Sequence, residues 1–457
     1  MDKRKMHGTW ANRWIFILAA TGSAVGLGNI WKFPYIAGEN GGGAFVLVYL
    51  VCIAVIGIPI MMAETMIGRR GRQSPVNTMR DLTIEAGMGK AWVGIGWMGV
   101  IAGLLILSFY SVIAGWSLKY IFMMASGDFA NATADTVNAH FETLQANKSD
   151  LIQWHSIFML MTLLVVTAGV TKGLGNAVRI LMPILFVLLL VLLGYGIKEG
   201  NFSEGFNFLF DFDFGKLSRD GVLTALGHAF FTLSLGMGAI MAYGAYMPDD
   251  APIGKTILIV AALDTLVAIV AGLAIFPIVF AHQGIEPSAG PGLLFVSLPL
   301  AFGNMAGGLY FGTAFFILVS LAAWSSAISL IEPGVAWLVE TKKCNRLVAN
   351  MILGGIAWFV GLGTVFSFND WSGPDYHIMG VTVFDFIDKL TANVMLPLGG
   401  MFIAIFAGWC MHKTHVRKEL SHESQDVFEI WHVLIRWVSP VLVGLVFIDL
   451  IWKLMTA

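Results

Sequence analysis

The chain has 457 residues, of which 57% are hydrophobic and only 12% are charged, and its formal net charge is -2. A soluble protein of this length has too much surface to cover with so few charged side chains, so the composition excludes a soluble globular protein. The chain also has no basic patch of the kind that binds nucleic acid. Apolar runs of about 20 residues, enough to cross a bilayer, recur along the sequence and predict a membrane protein with lipid around it.

Eleven apolar segments predict eleven membrane-spanning helices. Lysine and arginine concentrate in alternate loops, and their preference for the cytoplasmic side predicts a cytoplasmic N-terminus in the inner (plasma) membrane of the cell. An odd number of spans then puts the C-terminus outside. The predicted spans are 11–38, 42–68, 91–125, 153–171, 174–197, 221–246, 254–282, 308–341, 346–368, 384–411 and 430–455.

The first and sixth spans each contain a Gly-x-Gly sequence near the middle, Gly26/Gly28 and Gly236/Gly238. Glycine weakens a helix, and unwound backbone inside a membrane persists only where its polar groups find partners such as an ion or a solute. A single Gly-x-Gly could instead serve close helix packing. Two interruptions about five spans apart, in corresponding positions, indicate a binding site and an inverted repeat.

The predicted fold class is therefore an all-α membrane protein of about eleven transmembrane helices, with a five-plus-five inverted repeat and broken helices 1 and 6. The predicted divisions are a cytoplasmic segment 1–10, a first repeat 11–197, an extracellular loop 198–220, a second repeat 221–411, a cytoplasmic loop 412–429 and a last helix 430–457.

Several stretches resemble the neurotransmitter:sodium symporter family, and the bacterial leucine and hydrophobic amino-acid transporters look most similar. The stretches are Trp10-Ala-Asn-Arg, Gly26-Leu-Gly-Asn-Ile-Trp-Lys-Phe-Pro34, Glu39-Asn-Gly-Gly-Gly-Ala-Phe45 and Phe231-Thr-Leu-Ser-Leu-Gly-Met-Gly238. The resemblance covers nearly the whole chain, although a twelfth span is not predicted. It implies sodium-coupled uptake of an amino acid by alternating access.

The resemblance implies two sodium sites. Sodium is a hard cation that suits oxygen ligands, which agrees with residues of this kind. The adjacent serines of the first site could instead form ordinary interhelical hydrogen bonds. The first site is expected to use the carbonyl groups of Gly22, Val25 and Ala322 and the hydroxyl groups of Ser325 and Ser326. The second is expected to use the Ala24 carbonyl group, Asn29, Thr232 and Asp264.

Asp264 stands where many family members have asparagine. An ionisable residue at mid-membrane costs about 2.5–3.5 kcal/mol, so a function is the expected explanation, the alternative being an aspartate near a helix end that reaches water. Ala268 replaces a serine that helps to bind chloride in other members, and His228 replaces a chloride-binding glutamine. We therefore predict one or two sodium ions and no chloride.

The solute is expected to lie between helices 1, 3, 6 and 8. The resemblance directs its carboxylate to the backbone amides of Leu27 and Gly28 and to the hydroxyl of Tyr110, although a lone tyrosine can also be an interfacial anchor. Gly26 stands where monoamine carriers have aspartate, which favours a solute with its own carboxylate. The expected lining is mostly apolar and comprises Ala24, Leu27, Gly28, Ile106, Tyr110, Phe231, Thr232, Ser234, Met237, Ser326 and Leu330.

Gates are also implied by the resemblance. Lys32 and Asp388 are expected to form an outer ionic gate with Phe231 as an aromatic lid, unless both charges are simply solvated at helix ends. Trp10, Tyr246 and Glu340 match positions of the inner gate. Two further intramembrane acids, Glu64 and Glu332, are expected to hydrogen-bond to one another or to backbone.

The predicted function is sodium-coupled, chloride-independent symport of a neutral, hydrophobic amino acid. A proton-coupled carrier stays open because of Asp264 and Glu332. A non-transporting amino-acid sensor also stays open, although the tail at 411–430 is shorter than the roughly 50 residues of a small signalling domain. No nucleophile–base pairing or metal-ligand spacing indicates an enzyme. The sequence leaves the oligomeric state open.

Overall fold

The computed structural model describes residues 9–281 and 290–456, and side chains up to residue 448. Within these residues the protein is helical, with no β-strand beyond one isolated bridge between Ile378 and Val381. Nine described helices are long and apolar enough to cross a membrane, and a bent helix pair makes a tenth. The predicted fold class, an all-α membrane protein, is confirmed. Most of the predicted N-terminal segment 1–10 lies outside the described residues.

We name the spanning helices α1 to α11 in chain order. Helix α1 consists of Arg13–Ala24 (α1a) and Gly28–Glu39 (α1b), and helix α6 consists of Arg219–Thr232 (α6a) and Ala239–Gly244 (α6b). The uninterrupted spans are α2 Gly43–Gly71, α3 Lys90–Ser126, α4 Lys148–Thr167, α5 Val170–Glu199, α7 Ile253–Phe280, α8 Gly308–Lys342, α9 Arg346–Ser367, α10 Val383–Cys410 and α11 Gln425–Ile448.

The predicted span 221–246 is two short helices rather than one. Helix α6a has 14 residues and α6b has 6, so neither reaches the roughly 20 residues needed to cross a bilayer alone. The two pieces are separated by 233–238, which include the predicted glycine pair. They correspond to the sixth predicted span, which a count by helix length omits because neither piece is long enough.

Short helices occupy the connections between several spans, where the apolar pattern predicts only loops. Each of these segments is too short or too polar to span a membrane, so a search for apolar runs does not detect it. They are Pro75–Glu85, Ala134–Ala146, Phe202–Phe210, Leu293–Asn304 and Lys413–Glu419. Polar first turns also make α4 and α11 begin five residues before the predicted spans.

Helices α3 and α8 pack closely beside the two interrupted helices. Gly103 of α3 faces the backbone of α8, where an added Cβ would lie only 2.5 Å from the Leu330 carbonyl oxygen. Gly99 faces the end of the α6 interruption, with an added Cβ 3.0 Å from the Gly238 nitrogen. Small residues permit this approach of backbones inside a membrane. The two interruptions therefore lie against α3 and α8 in the buried centre of the molecule.

Candidate ion and solute site

The interruption of α1 begins at Val25, whose extended backbone ends α1a, and α1b continues at an angle of 48°. Gly26 is required here because an added Cβ would lie 2.3 Å from the Ser326 hydroxyl oxygen and 2.5 Å from that of Tyr110. Glycine permits such close approach. The absence of a side chain at Gly26 thus brings α1, α3 and α8 together at one point.

The interruption of α6 has three residues in the left-handed region, Ser234, Gly236 and Gly238, with φ values of 55°, 76° and 75°. At Gly236 an added Cβ would also lie 2.3 Å from the Leu396 carbonyl oxygen. The Gly236 amide donates a hydrogen bond of 2.6 Å to the Glu64 carboxylate of α2. Glu64 therefore satisfies a backbone group that the interruption frees, which agrees with the expected bond to backbone.

A first cluster of buried oxygen atoms lies between α1a and α8. The Ser326 hydroxyl lies 3.4 Å from the Gly22 carbonyl oxygen and 3.1 Å from that of Val25. The neighbouring Ser325 hydroxyl donates to the Ala322 carbonyl oxygen at 2.9 Å. These are the five residues that the resemblance assigns to one sodium ion. A hydroxyl group can rotate to direct its lone pairs to a cation, so the set suits an oxygen-ligated ion.

A second cluster surrounds the Asp264 carboxylate. Asn29 donates to it at 2.8 Å through its side-chain amide, and the Thr232 hydroxyl donates at 3.0 Å. Asp264 is 0% exposed and lies within α7, so the alternative of an aspartate that reaches water at a helix end is wrong. The side-chain oxygen of Asn29 accepts from the Gly26 amide at 3.1 Å, which connects this cluster to the interruption of α1. Ala24 is the last residue of α1a, beside the same interruption.

A small cavity lies between the two interruptions. It is lined by Ser23, Ala24, Gly26, Gly28, Ile106, Tyr110, Phe231, Ser234, Met237, Ser326 and Leu330. Two residues of the predicted lining, Leu27 and Thr232, are not part of it. The Leu27 amide donates to the Tyr110 hydroxyl oxygen at 3.0 Å, and Thr232 faces Asp264.

Sequence reasoning missed a serine network at the cavity. The Ser23 hydroxyl donates to the Ser329 hydroxyl oxygen at 2.7 Å, and Ser234 donates to the Ser23 carbonyl oxygen at 3.0 Å. The network joins α1, α6 and α8. Ser329 follows Ser326 by three residues on the same helix face, and this spacing is the signal that could have indicated it.

One side of the cavity carries an ion pair. The Lys32 ammonium group lies 2.8 Å and 3.0 Å from the two carboxylate oxygens of Asp388. The same ammonium group lies 4.8 Å from the centre of the Phe231 ring, which lines the cavity. The alternative of two separately solvated charges is therefore excluded.

Aromatic residues join the segment before α1a to the end of α6b. The Trp10 indole donates to the Tyr243 carbonyl oxygen at 3.1 Å, and the Trp10 backbone amide donates to that of Tyr246 at 2.9 Å. Glu340 bonds to a different part of the protein. Its carboxylate accepts from the Ser74 amide at 2.9 Å and from Asn77 at 2.8 Å. It thus fixes the start of the short helix Pro75–Glu85, where a carboxylate is favoured.

The partner of Glu332 differs from the predicted one. Its carboxylate forms an ion pair with Arg346 at the start of α9 rather than a bond to Glu64 or to backbone. Arg346 also donates to the Val166 carbonyl oxygen at 2.7 Å. The buried carboxylate of Glu332 is thus compensated by a charge from the next helix in the chain.

His228 is fully buried, and neither ring nitrogen has a hydrogen-bond partner among the described residues. Its ring stacks on Phe33 at 6.0 Å and lies 5.3 Å from the Tyr49 ring. Ala268, also buried, presents only a methyl group. These are the two positions where the resemblance places chloride ligands in other members.

An all-α membrane protein with two interrupted helices around oxygen clusters and a cavity has the architecture of an ion-coupled secondary transporter. The model of the sodium:neurotransmitter symporter family matches residues 7–149 and 138–457. The chain belongs to this family. It is therefore a sodium-dependent, multi-pass membrane transporter.

Relatives cover nearly the whole chain. An uncharacterized sodium-dependent transporter of Bacillus subtilis is 36% identical over 97% of this chain and 97% of its own length. The sodium- and chloride-dependent GABA transporter 2 of Rattus norvegicus is 26% identical, over 90% of this chain and 74% of its own. A crystal structure of MhsT in complex with L-phenylalanine matches with a TM-score of 0.90 and 44% identity, covering 97% of this chain and 99% of that one.

Proposed function

We propose that this protein couples the movement of sodium to uptake of a neutral, hydrophobic amino acid, without chloride, across the plasma membrane. The observation that carries the proposal is the cavity between the interruptions of α1 and α6. Its lining includes no charged side chain, yet it lies beside a helix N-terminus and a tyrosine hydroxyl. A zwitterion with an apolar side chain fits such surroundings because its two charges cancel overall.

The amino-acid carboxylate is assigned to the start of α1b. Backbone amides at Leu27 and Gly28 and the positive end of the helix dipole favour an anionic group there. The Tyr110 hydroxyl, which already accepts from the Leu27 amide at 3.0 Å, would donate to the same carboxylate. Gly26 has no room for a side chain, so the solute supplies the acid that a residue at this position would otherwise supply.

The solute side chain is assigned to the opposite part of the cavity. Ile106, Phe231 and Leu330 contribute apolar surface, and Met237 is an adaptable side chain between two left-handed glycines. These residues favour an aliphatic or aromatic side chain over a polar one. The similarity to MhsT, solved with L-phenylalanine, supports a solute of this class.

Sodium is assigned to both oxygen clusters. At Asp264 the ion would neutralise a fully buried carboxylate whose described hydrogen-bond partners, Asn29 and Thr232, are both uncharged. At Ser325 and Ser326 it would join α8 to the backbone of α1a. Because both clusters involve the α1 interruption, bound sodium would order the backbone that holds the solute, which is a physical basis for coupling.

Chloride independence rests on the charge of Asp264. Ala268 offers no hydroxyl group, and a carboxylate beside the site already supplies the negative charge that chloride would bring. We expect transport to continue unchanged when gluconate replaces chloride. Loss of transport in gluconate would contradict this part of the proposal.

The moving parts are assigned to the two predicted repeats, 11–197 and 221–411, with the N-terminus in the cytoplasm. The ion pair of Lys32 with Asp388 would close the outer side and Trp10 with Tyr246 the inner side. Glu340, bound to Ser74, would hold the inner loop against α8.

A proton-coupled carrier is the second candidate, and the same buried carboxylate favours it, because a proton would neutralise Asp264 as a sodium ion does. Binding of radiolabelled phenylalanine and leucine to the purified protein in sodium, and in potassium at several pH values, distinguishes the two. We expect binding in sodium only, and displacement by neutral hydrophobic amino acids but not by lysine or glutamate. Equal binding in potassium at acid pH would favour the proton.

A further inference from the structure

A surface site outside the transport pathway lies where α10 and α11 meet. The guanidinium group of Arg436 lies 4.1 Å from the Trp409 ring and 5.9 Å from the Trp437 ring. The Trp409 indole donates to the Arg436 carbonyl oxygen at 2.8 Å. Trp409 is one residue from the end of α10 at Cys410, so Arg436 is level with the last turn of α10.

Arg436 has no acidic partner among the side chains that the structure describes. Its buried Nε atom has no hydrogen-bond partner among the described residues, and the ion pairs of the described side chains do not include it. Trp409 and Trp437 are 46% and 53% exposed, so the group faces outward. Trp409 lies at the end of α10, and an exposed tryptophan at a helix end is typical of the membrane interface. An unpaired arginine at that depth is suited to a phosphate group.

Further positive charge lies towards the α10–α11 loop. Phe428 is a buried residue of α11, eight residues before Arg436. Lys413 and Arg417 lie 5.6 Å and 5.1 Å from the centre of its ring. The Lys413 ammonium group also forms an ion pair of 3.0 Å with Glu429, so one acid offsets part of this charge. The segment 413–436 as a whole carries no excess charge, since its four basic residues are matched in number by Glu419, Glu423, Asp426 and Glu429. The attraction for an anionic headgroup is therefore local to Lys413 and Arg417.

We propose that Arg436, Trp409 and Trp437 form a binding site for the phosphate group of an anionic phospholipid, in the leaflet that faces the α10–α11 loop. The guanidinium group would bind phosphate oxygens while the two indole rings hold it in place and contact the glycerol region. Lys413 and Arg417 would favour a headgroup with net negative charge over a zwitterionic one.

The test is native mass spectrometry of the purified protein in detergent, titrated with phosphatidylglycerol, with phosphatidylcholine and with inorganic phosphate. We expect the first bound phosphatidylglycerol to bind at least about tenfold more weakly to Arg436→Gln than to the unaltered protein, as for loss of a charged hydrogen bond. Arg179→Gln is the matched control, because Arg179 is an exposed arginine on α5. Its phosphatidylglycerol affinity should not change.

Three results would overturn the proposal. They are equal phosphatidylglycerol affinity in Arg436→Gln and the unaltered protein, equal affinity for phosphatidylcholine and phosphatidylglycerol, and full displacement of the lipid by inorganic phosphate. Sodium-dependent amino-acid binding serves as the folding control. If Arg436→Gln is not monodisperse, the phosphatidylglycerol affinity of Arg436→Lys is measured instead. Lysine keeps the positive charge but lacks the planar guanidinium group that binds phosphate through two nitrogens and stacks on the indole rings. An affinity equal to that of the unaltered protein would then contradict the site.

Discussion

Asp264 is the acidic side chain of the second oxygen cluster. Its carboxylate is fully buried and its described hydrogen-bond partners, Asn29 and Thr232, are uncharged donors. A lone carboxylate in such surroundings is strongly unfavourable unless a cation neutralises it. Asn29 also accepts from the Gly26 amide, so an ion at this position would act directly on the backbone at the α1 interruption.

Asp264→Asn should therefore raise the half-saturating sodium concentration for amino-acid binding at least about tenfold, as expected when a charged ligand is lost. The shape of the side chain is kept, so the cavity should not change. The measurement is sodium titration of labelled amino-acid binding to the purified protein. Asp370→Asn, at an exposed pair with Lys148, is the control and should leave the titration unchanged. An unchanged sodium affinity in Asp264→Asn would refute this ion site.

Tyr110→Phe should weaken amino-acid binding about tenfold, because the Leu27 amide loses its acceptor and the solute carboxylate loses a donor. The measurement is the dissociation constant of the labelled amino acid at saturating sodium. Tyr120→Phe removes a similar hydroxyl on α3, bonded to the Phe295 carbonyl oxygen at 3.0 Å. That control should affect stability but not the dissociation constant. The same dissociation constant in both variants would contradict the assigned role of Tyr110.

The sequence predicted single residues where a local motif carries them. Gly26, Ser325 and Ser326 stand in recognisable stretches, and the structure brings their atoms within reach of one another. It did not predict the pairing of Glu332 with Arg346 or the bond between Ser23 and Ser329. Such pairs depend on how helices far apart in the chain pack together, and no local spacing encodes that.

At the scale of helices, the two interruptions are unequal. In α1 the chain turns within three residues, whereas in α6 six residues separate the two short helices. The Gly-x-Gly pattern predicted both positions. It did not predict the length of the α6 interruption, because the left-handed Ser234 is held there by tertiary hydrogen bonds to Ser23 rather than by its own preference.

Gly236→Ala should lower the thermal stability of the protein and reduce amino-acid binding. A left-handed alanine costs roughly 1–2 kcal/mol, and the added Cβ would lie 2.3 Å from the Leu396 carbonyl oxygen. Gly194→Ala on α5 is the control, since its added Cβ meets nothing within 4 Å. Thermal unfolding and binding should be measured on both. Equal behaviour of the two variants would show that the α6 interruption does not need this glycine.

For the whole molecule, contacts close both sides of the cavity. Lys32 with Asp388 and Phe231 lies on one side, and Trp10 with Tyr246 on the other. Alternating access requires these two sets of contacts to open in turn while the site between them stays assembled. The apolar pattern predicted the long spanning helices, and the family resemblance indicated that Lys32 meets Asp388. Neither predicted the short connecting helices.

A double-mutant cycle tests the closure by Lys32 and Asp388. Lys32→Gln and Asp388→Asn should each change the amino-acid dissociation rate, and the two changes should not add, because each single variant leaves the other charge unpaired. The comparison pair is Lys148 with Asp370, exposed by 56% and 53%, where about zero coupling is expected. Dissociation of labelled amino acid is the measurement. Additive effects at Lys32 and Asp388 would mean that the ion pair does not act as a gate.

The most direct test of the central claim is uptake into proteoliposomes. With sodium outside and potassium inside, the protein should accumulate a radiolabelled hydrophobic amino acid above its external concentration, and a sodium ionophore should abolish the accumulation. Asp264→Asn should lose accumulation at low sodium, whereas Asp370→Asn should not. Equal accumulation with potassium on both sides would contradict sodium coupling.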